Sequence, residues 1–372
     1  MQQASFEQQL AWTKQHMTRS LQALDGLPDL IGVRLACSMH LDLKMLPLVE
    51  GLLAKGAELF ITTCNPTTVR DQVVEVMKRS GAQVEAWHNI PAEDYLSAIH
   101  QALAWGPTHL CEMGADLSYA LDREDSLAEA KEGIRASLEA TGSGINRMER
   151  LKLPYPVFNW DDLPVKEGLH NRHMVGLTTW QTFFARTQLT LHEKRVLVIG
   201  YGSVGQGIAR VARTYGGTVT IVELDPIQAI EASYDGWPVR PLAEAISDAD
   251  VIVTATGARG VITADHIPLL KQNAFLLNCG HSDIEIDVAA LRGYPTEQVL
   301  PAIESFQVGT KRIYLLAGGS MFNLTAGEGD SLNAFDVTLA VLISGIGHIV
   351  GQGANWAPGI YLLPREVWEK VI

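Results

Sequence analysis

The chain is poor in cysteine. Four cysteines, Cys37, Cys64, Cys111 and Cys279, are spread over 372 residues, and no two form a C-x-x-C pair. This argues against a disulfide framework or a thiolate zinc site and reads as reduced thiols in a cytoplasmic protein, with no metal. Positive charge is also scarce: 29 Lys and Arg face 42 Asp and Glu, a net charge of −13. No basic face for a nucleic-acid backbone is expected from that balance. Apolar runs are short. The nearest to a membrane span, Val337 to Val350, includes His348 and falls below the ~18 residues needed, so it reads as a buried helix and no membrane partner is expected. The opening residues, MQQASFEQQLAWTKQ, are polar, and no signal peptide is expected. Internal repeats and low-complexity segments are missing as well.

What is present is ordinary for an α/β protein. Hydrophobic residues make up 47% and charged residues 19%, and the length suggests two domains. Strand patterns at 31–37, 58–63, 84–87 and 108–113 alternate with helical patterns at 46–55, 69–79 and 92–104. Residues 122–150 read as a charged crossover leading to a short strand at 156–159, and 161–171 are irregular and polar. A helix at 174–189 leads into a second alternating region with strands at 195–199, 218–222, 251–255, 274–278 and 313–317. A helix at 334–350 and the tail return to the first region. The predicted fold is α/β, with a Rossmann domain at 176–331 inserted between 1–175 and 332–372, which form a domain with a mostly parallel sheet.

The stretch from Lys194 to Glu223 is the most informative. RVLVI at 195–199 is a buried strand pattern, followed by Gly200-x-Gly202-x-x-Gly205, helical spacing at 207–215, and a strand ending at Glu223. Gly200 permits the tight turn, Gly202 admits a pyrophosphate to the backbone, and Gly205 lets helix and strand lie close. The N-terminus of the following helix offers free N–H groups and the positive dipole end, and Ser203 and Val204 in the same turn are assigned to the cofactor. Glu223 lies where an acid accepts both ribose hydroxyls, which favours NAD over NADP.

Polar residues also cluster where strands end, the ligand edge of an open sheet. His40 and Asp42 follow the first strand, Cys64 and Asn65 the second, Glu112 and Asp116 the fourth, and His281 follows AFLLNCG.

Together these residues resemble a family. NCGHSDIEIDV at 278–288, GYGSVGQGIA at 200–209 and VELDPIQAIEA at 222–232 closely resemble S-adenosylhomocysteine hydrolase. The resemblance extends over nearly the whole chain, taking in Cys-Ser-Met-His at 37–40, Cys-Asn at 64–65, Gly-Ala-Asp-Leu at 114–117 and the loop from Lys166 to Asn171. It implies a redox-masked elimination: NAD oxidises the 3′-hydroxyl of a nucleoside, the ketone acidifies the 4′-hydrogen, homocysteine leaves C5′, water adds, and the ketone is reduced again. By matching position it implies Lys166 assisting loss of the 3′-hydroxyl proton, Glu139 at the ribose diol, and His40 as acid or base at the 5′ leaving group. His281 and Asn323 then lie by the nicotinamide or the ribose. Thr141, Asn171, Thr256 and Asn278 are assigned to the cofactor, and Asp42, Lys44, Asn65, Glu112 and Asp330 to the substrate. Lys166 and Glu139 also read simply as solvated charges, and Thr141 as a helix cap.

The departures from the family are specific. Its acidic pair becomes Glu112-Met113, and methionine transfers no proton. Its aspartate four residues after the lysine falls on His170, which can serve as a general base. The histidine of its Gly-His-Pro-Ser segment falls on Asp330, within GEGDS at 327–331. Its Thr and Glu near the nucleoside become Asp42 and Lys44, reversing a charge. Its C-terminal extension, whose Lys and Tyr reach a neighbouring subunit's NAD, has no counterpart after LPREV, which predicts weaker NAD retention. Three activities stay open: the hydrolase itself, a lyase or dehydratase that stops at elimination, and a non-catalytic NAD-binding regulator. A homo-oligomer, dimer or tetramer, is expected.

Overall fold

The computed structural model describes residues 4–280 and 283–372. The chain separates into two compact units, Met1–Lys166 with Leu332–Ile372, and Glu167–Ser331. The first crossing falls at Lys166/Glu167, earlier than the 175/176 boundary read from the sequence.

In the first unit six strands are β1 (Arg34–Met39), β2 (Glu58–Thr63), β3 (Gln83–Val84), β4 (His109–Glu112), β5 (Ala136–Glu139) and β6 (Pro156–Asn159). With an edge strand, Gly359–Leu362, they form one sheet in the order Gly359–Leu362, β6, β5, β4, β1, β2, β3. Every pairing is parallel. Strands buried on both faces need apolar side chains throughout, which is why RLACSM and ELFITT show little alternation. The helix Leu332–Gly351 is longer than expected, 20 residues with a mean hydropathy of 1.7, enough by length and composition to cross a membrane. Here 61% of that window is buried: Leu339, Leu342, Ile343 and Ile346 share one apolar cluster with Leu35, Leu138 and Phe158. Asp336 in its first turns accepts from the backbone N–H groups of Arg19 at 2.9 Å and Ser20 at 2.7 Å.

The second unit contains β7 (Arg195–Ile199), β8 (Thr218–Val222), β9 (Val251–Thr254), β10 (Phe275–Asn278), β11 (Thr296–Leu300), β12 (Ile303–Val308) and β13 (Lys311–Leu316). Their order is β11, β12, β13, β10, β9, β7, β8, antiparallel from β11 to β13 and parallel from there on. The helix after β7 starts at Ser203 rather than Gly207. Gly205 and Gly207 sit inside it and weaken its pattern, but close packing requires them. A Cβ on Gly207 would lie 1.9 Å from the Arg172 carbonyl oxygen, at the crossing with helix Val175–Thr187.

Four strands escape sequence reading: β5, β11, β12 and Gly359–Leu362. β5 is four residues ending in a carboxylate, buried only because β4 and β6 flank it. β11 is exposed at every position and exists through its pairing with β12. Gly359–Leu362 is likewise an edge strand, supported by β6 alone.

Candidate active site

In the second unit the sheet order reverses between β7 and β9, and an open α/β sheet binds ligands at the strand ends beside such a switch. The three glycines there have different duties. Gly200 has φ +98°, and a Cβ there would lie 2.6 Å from the Ala255 carbonyl oxygen. A Cβ on Gly205 would lie 2.0 Å from the Gly200 carbonyl oxygen, so helix Ser203–Thr214 rests directly on the turn. Gly202 has an unstrained φ of −65°, and the nearest atom to its Cβ position is Gln228 Oε1 at 4.0 Å. The protein itself does not need a glycine at 202. The glycine leaves open space at the N-terminus of helix Ser203–Thr214, where backbone N–H groups are able to receive a pyrophosphate.

Around this cradle, Glu223 at the end of β8 accepts from the N–H groups of Tyr201 at 2.7 Å, Leu224 at 2.6 Å and Asp225 at 2.9 Å. Ser203 donates its hydroxyl to Glu167 at 2.7 Å, and Val204 is half-buried beside it. Asn323 is buried; its amide donates to Thr178 Oγ1 at 3.3 Å, while its Oδ1 has no hydrogen-bond partner among the described residues. A buried acceptor without a donor is costly, and an incoming amide N–H relieves it. The cradle, the rim carboxylate and this orphaned acceptor fit NAD.

Asn278 and Thr256 are occupied by the protein. Asn278 is fully buried; its carbonyl accepts from Thr254 Oγ1 at 3.0 Å and Gly280 N–H at 2.8 Å, and its amide donates to the Gly319 carbonyl at 3.1 Å. Thr256 donates its hydroxyl to Glu285 at 2.7 Å, and Glu285 also accepts from Gly257 N–H at 2.8 Å. Sequence reasoning passed over Glu285 because a charge within IEID looks solvated, yet it is fully buried and shapes the turn after β9. It also missed Glu167, whose bond to Ser203 joins segments far apart in sequence. His281 lies outside the described residues.

In the first unit the order reverses between β1 and β4. His40, just after β1, pairs Nδ1 with Thr68 Oγ1 at 2.8 Å, and Thr68 donates to the Asn65 carbonyl at 2.8 Å. Asn65 caps its own turn, accepting from Thr67 N–H at 3.1 Å and Thr67 Oγ1 at 2.8 Å. Glu139, ending β5, is fully buried and accepts from the N–H groups of Gly114 at 2.9 Å, Ala115 at 3.1 Å and Thr141 at 2.8 Å. Thr141 Oγ1 donates to Glu139 at 2.7 Å and accepts from Gly144 N–H at 2.9 Å, capping helix Gly142–Met148. Lys166 is no solvated charge either: its side chain is 11% exposed, 3.6 Å from Asp161 and 5.7 Å from the Trp160 ring.

The sequence matches the family model for S-adenosyl-L-homocysteine hydrolase over residues 15–167, and that for its NAD binding domain over residues 181–329. The chain belongs to the S-adenosyl-L-homocysteine hydrolase family. It is 33% identical to an S-inosyl-L-homocysteine hydrolase of Methanopyrus kandleri, over 97% of this chain and 88% of that one. It is 34% identical to an adenosylhomocysteinase of Thermococcus kodakarensis, over 91% of this chain and 82% of that one. An adenosylhomocysteinase of Thermotoga maritima is 31% identical, over 98% and 92%. This hydrolase-family chain is thus an NAD-dependent enzyme, and the reading as a bare regulator falls away.

Seen as a family member, the chain answers two of its departures internally. Lys44 is buried, its Nζ 3.4 Å from Asp42 Oδ2 and 5.3 Å from the Phe335 ring, while Asp42 also accepts from Lys44 N–H at 2.9 Å. The charge reversal expected there is balanced within the same turn. His170 Nδ1 pairs with Asp330 Oδ2, so the two exchanged positions meet. His170 and Asn171 both lie half-buried in a π-helical run, Lys166–Met174. Met113 follows β4, its N–H bonded to the Ser38 carbonyl at 2.9 Å.

Glu112 requires correction. Expected at the substrate, it is fully buried, and its carboxylate accepts from Leu117 N–H at 2.8 Å and Ser118 N–H at 3.1 Å, and from the Ser118 hydroxyl at 2.5 Å. It caps helix Asp116–Arg123 from within the core. Burial pushes its pKa from an ordinary 4.5 up to about 7, against the downward pull of the Ser118 bonds. Between those values the unfolded chain releases this proton and the folded chain keeps it, so stability falls as pH rises through that window. Glu112→Gln removes this contribution. Urea unfolding across the window is expected to give a slope flatter by a total of ~3 kcal/mol. Identical slopes in both proteins refute the assignment.

Proposed function

We propose that this enzyme cleaves the C5′ thioether of a purine nucleosyl-homocysteine through transient 3′-oxidation. The observation that carries the reading is the cradle at Gly202, open to a ligand in a chain that matches the hydrolase family along almost its full length. Bound NAD supplies reversible hydride acceptance from ribose C3′. Gly202, the helix N-terminus at Ser203 and Glu223 hold its pyrophosphate and adenosine ribose, and Asn323 Oδ1 takes an amide N–H. Lys166, held by Asp161, assists departure of the 3′-hydroxyl proton. His40, with its ring fixed by Thr68, moves the proton at the 5′ leaving group. The relatives' names include both adenosyl and inosyl substrates, which supports a purine and leaves its 6-substituent to experiment.

A second reading rests on Met113. With no acid there, elimination is retained and water addition is impaired, making the enzyme a lyase. Incubation with NAD and either S-adenosyl- or S-inosylhomocysteine tests both readings. Absorbance near about 340 nm reports the redox step. Free homocysteine with a saturated nucleoside supports the hydrolase, and accumulating 4′,5′-unsaturated nucleoside supports the lyase. No absorbance change with either substrate, and no thiol release, refutes both.

A further inference from the structure

His170 and Asp330 come from opposite ends of the second unit's sequence, yet their side chains meet, Nδ1 to Oδ2. Both of these atoms are buried, while the His170 side chain keeps 21% exposure and that of Asp330 only 3%. The carboxylate is thus buried with the ring's Nδ1, while His170 keeps some exposed surface, and Nε2 lies on the ring edge away from Nδ1. Both backbones are held firmly. Gly329 N–H bonds to the Asn323 carbonyl at 3.0 Å, and a Cβ on Gly327 would lie 2.2 Å from Thr182 Oγ1, so the loop before Asp330 lies flat on helix Val175–Thr187. The His170 run leads into that same helix, and its Arg172 carbonyl rests on Gly207. A carboxylate this deeply buried is tolerated only when paired, and an imidazole whose Nδ1 faces it leaves Nε2 as the nitrogen available to a substrate.

We propose that His170 and Asp330 form a carboxylate–imidazole dyad in which Asp330 is a positioning residue and His170 Nε2 exchanges a proton with a ribose hydroxyl of the nucleoside. The proposal rests on the reading above and deepens it, reassigning Asp330 from substrate contact to support. In the forward step the 3′-hydroxyl O–H bond would break and an Nε2–H bond form, with the Lys166 cation assisting through its charge, as the C3′ hydride would pass to bound NAD. Asp330 stabilises the resulting imidazolium, and the proton returns when the ketone is reduced. By the resemblance drawn from the sequence, these two positions exchange acid and imidazole, and here the exchanged pair is in contact.

Two measurements test the dyad in the full-length enzyme. The first is a 15N NMR spectrum of the histidine rings without substrate, with His170 identified by the signals lost in His170→Gln. Asp330→Asn is expected to shift the His170 nitrogens; unchanged nitrogens overturn the pairing. The second is kinetic. Asp330→Asn is expected to lower kcat roughly 10- to 100-fold, part of the ~10²–10⁴ a positioned base supplies, with KM within about twofold. In a His170→Gln background the same substitution is expected to add nothing. A raised KM with unchanged kcat, or full additivity, overturns the positioning role. If Asp330→Asn does not fold, the reciprocal exchange His170→Asp/Asp330→His decides, since it keeps the pair: recovery above His170→Asp alone supports the dyad and no recovery overturns it. A wild-type enzyme inert toward every nucleoside defeats the functional reading, while the NMR result still judges the pair.

Discussion

Replacing Gly202 by alanine is expected to cost NAD affinity at least ~100-fold and leave the fold in place, whereas the same change at Gly205 is expected to damage both. The contrast follows from what each new methyl group meets. At 202 the nearest heavy atom is 4.0 Å away and φ is ordinary, so the protein accommodates a Cβ. The methyl then occupies the approach of the pyrophosphate to the helix N-terminus. Losing two hydrogen bonds to charged oxygens costs roughly 3–6 kcal/mol, at least a 100-fold loss of affinity. At 205 the methyl falls 2.0 Å from the Gly200 carbonyl oxygen, and backbone has to move. Overpacking of this kind costs about 3 kcal/mol. Thermal melting with and without NAD reads both effects. Wild type melts higher with NAD, since a ligand that binds only the folded state stabilises it. Gly202→Ala melts near wild type and shows no rise, while Gly205→Ala melts lower throughout. Equal melting of the two apo variants refutes this division of labour.

Lys166→Ala is expected to slow the reduction of bound NAD by a nucleoside roughly 10²–10⁴-fold, the range for losing a group that supports a positioned proton transfer. The structure explains why the loss is large. The Lys166 side chain is 11% exposed with its Nζ 3.6 Å from Asp161, so solvent does not readily replace it. Removal also leaves Asp161 without its cation. Lys166→Arg separates two modes of action. Arginine keeps the charge but does not release a proton at neutral pH, so an electrostatic role survives in part and a proton-carrying role does not. Rapid mixing followed near about 340 nm measures the step directly. An alanine variant within threefold of wild type removes Lys166 from the reaction.

The dinucleotide fingerprint was legible because its signal is local. Each glycine's duty is set within a few residues, by a turn, a helix start and a strand end, and the structure places all three as the spacing requires. The long helix near the C-terminus was legible for a similar reason, as an apolar run too long for a strand. The carboxylates were not. Glu112, Glu139 and Glu285 look alike in sequence to solvated or ligand-binding acids, yet each is fully buried and each is held by backbone N–H groups. Whether an acid faces a ligand or braces a turn depends on which loop folds over it, and those loops are distant in sequence.

By itself, then, the order of residues determined the alternation of strands and helices, the NAD cradle and the family, because these depend on short-range pattern and local stereochemistry. Only tertiary packing decided that Lys44 is neutralised by Asp42, that Glu112 closes the core instead of opening to substrate, and that Asp330 stands behind His170. The reason is electrostatic: the effect of a charge is set by its burial and its nearest partner, and neither is encoded at the position of the charge itself.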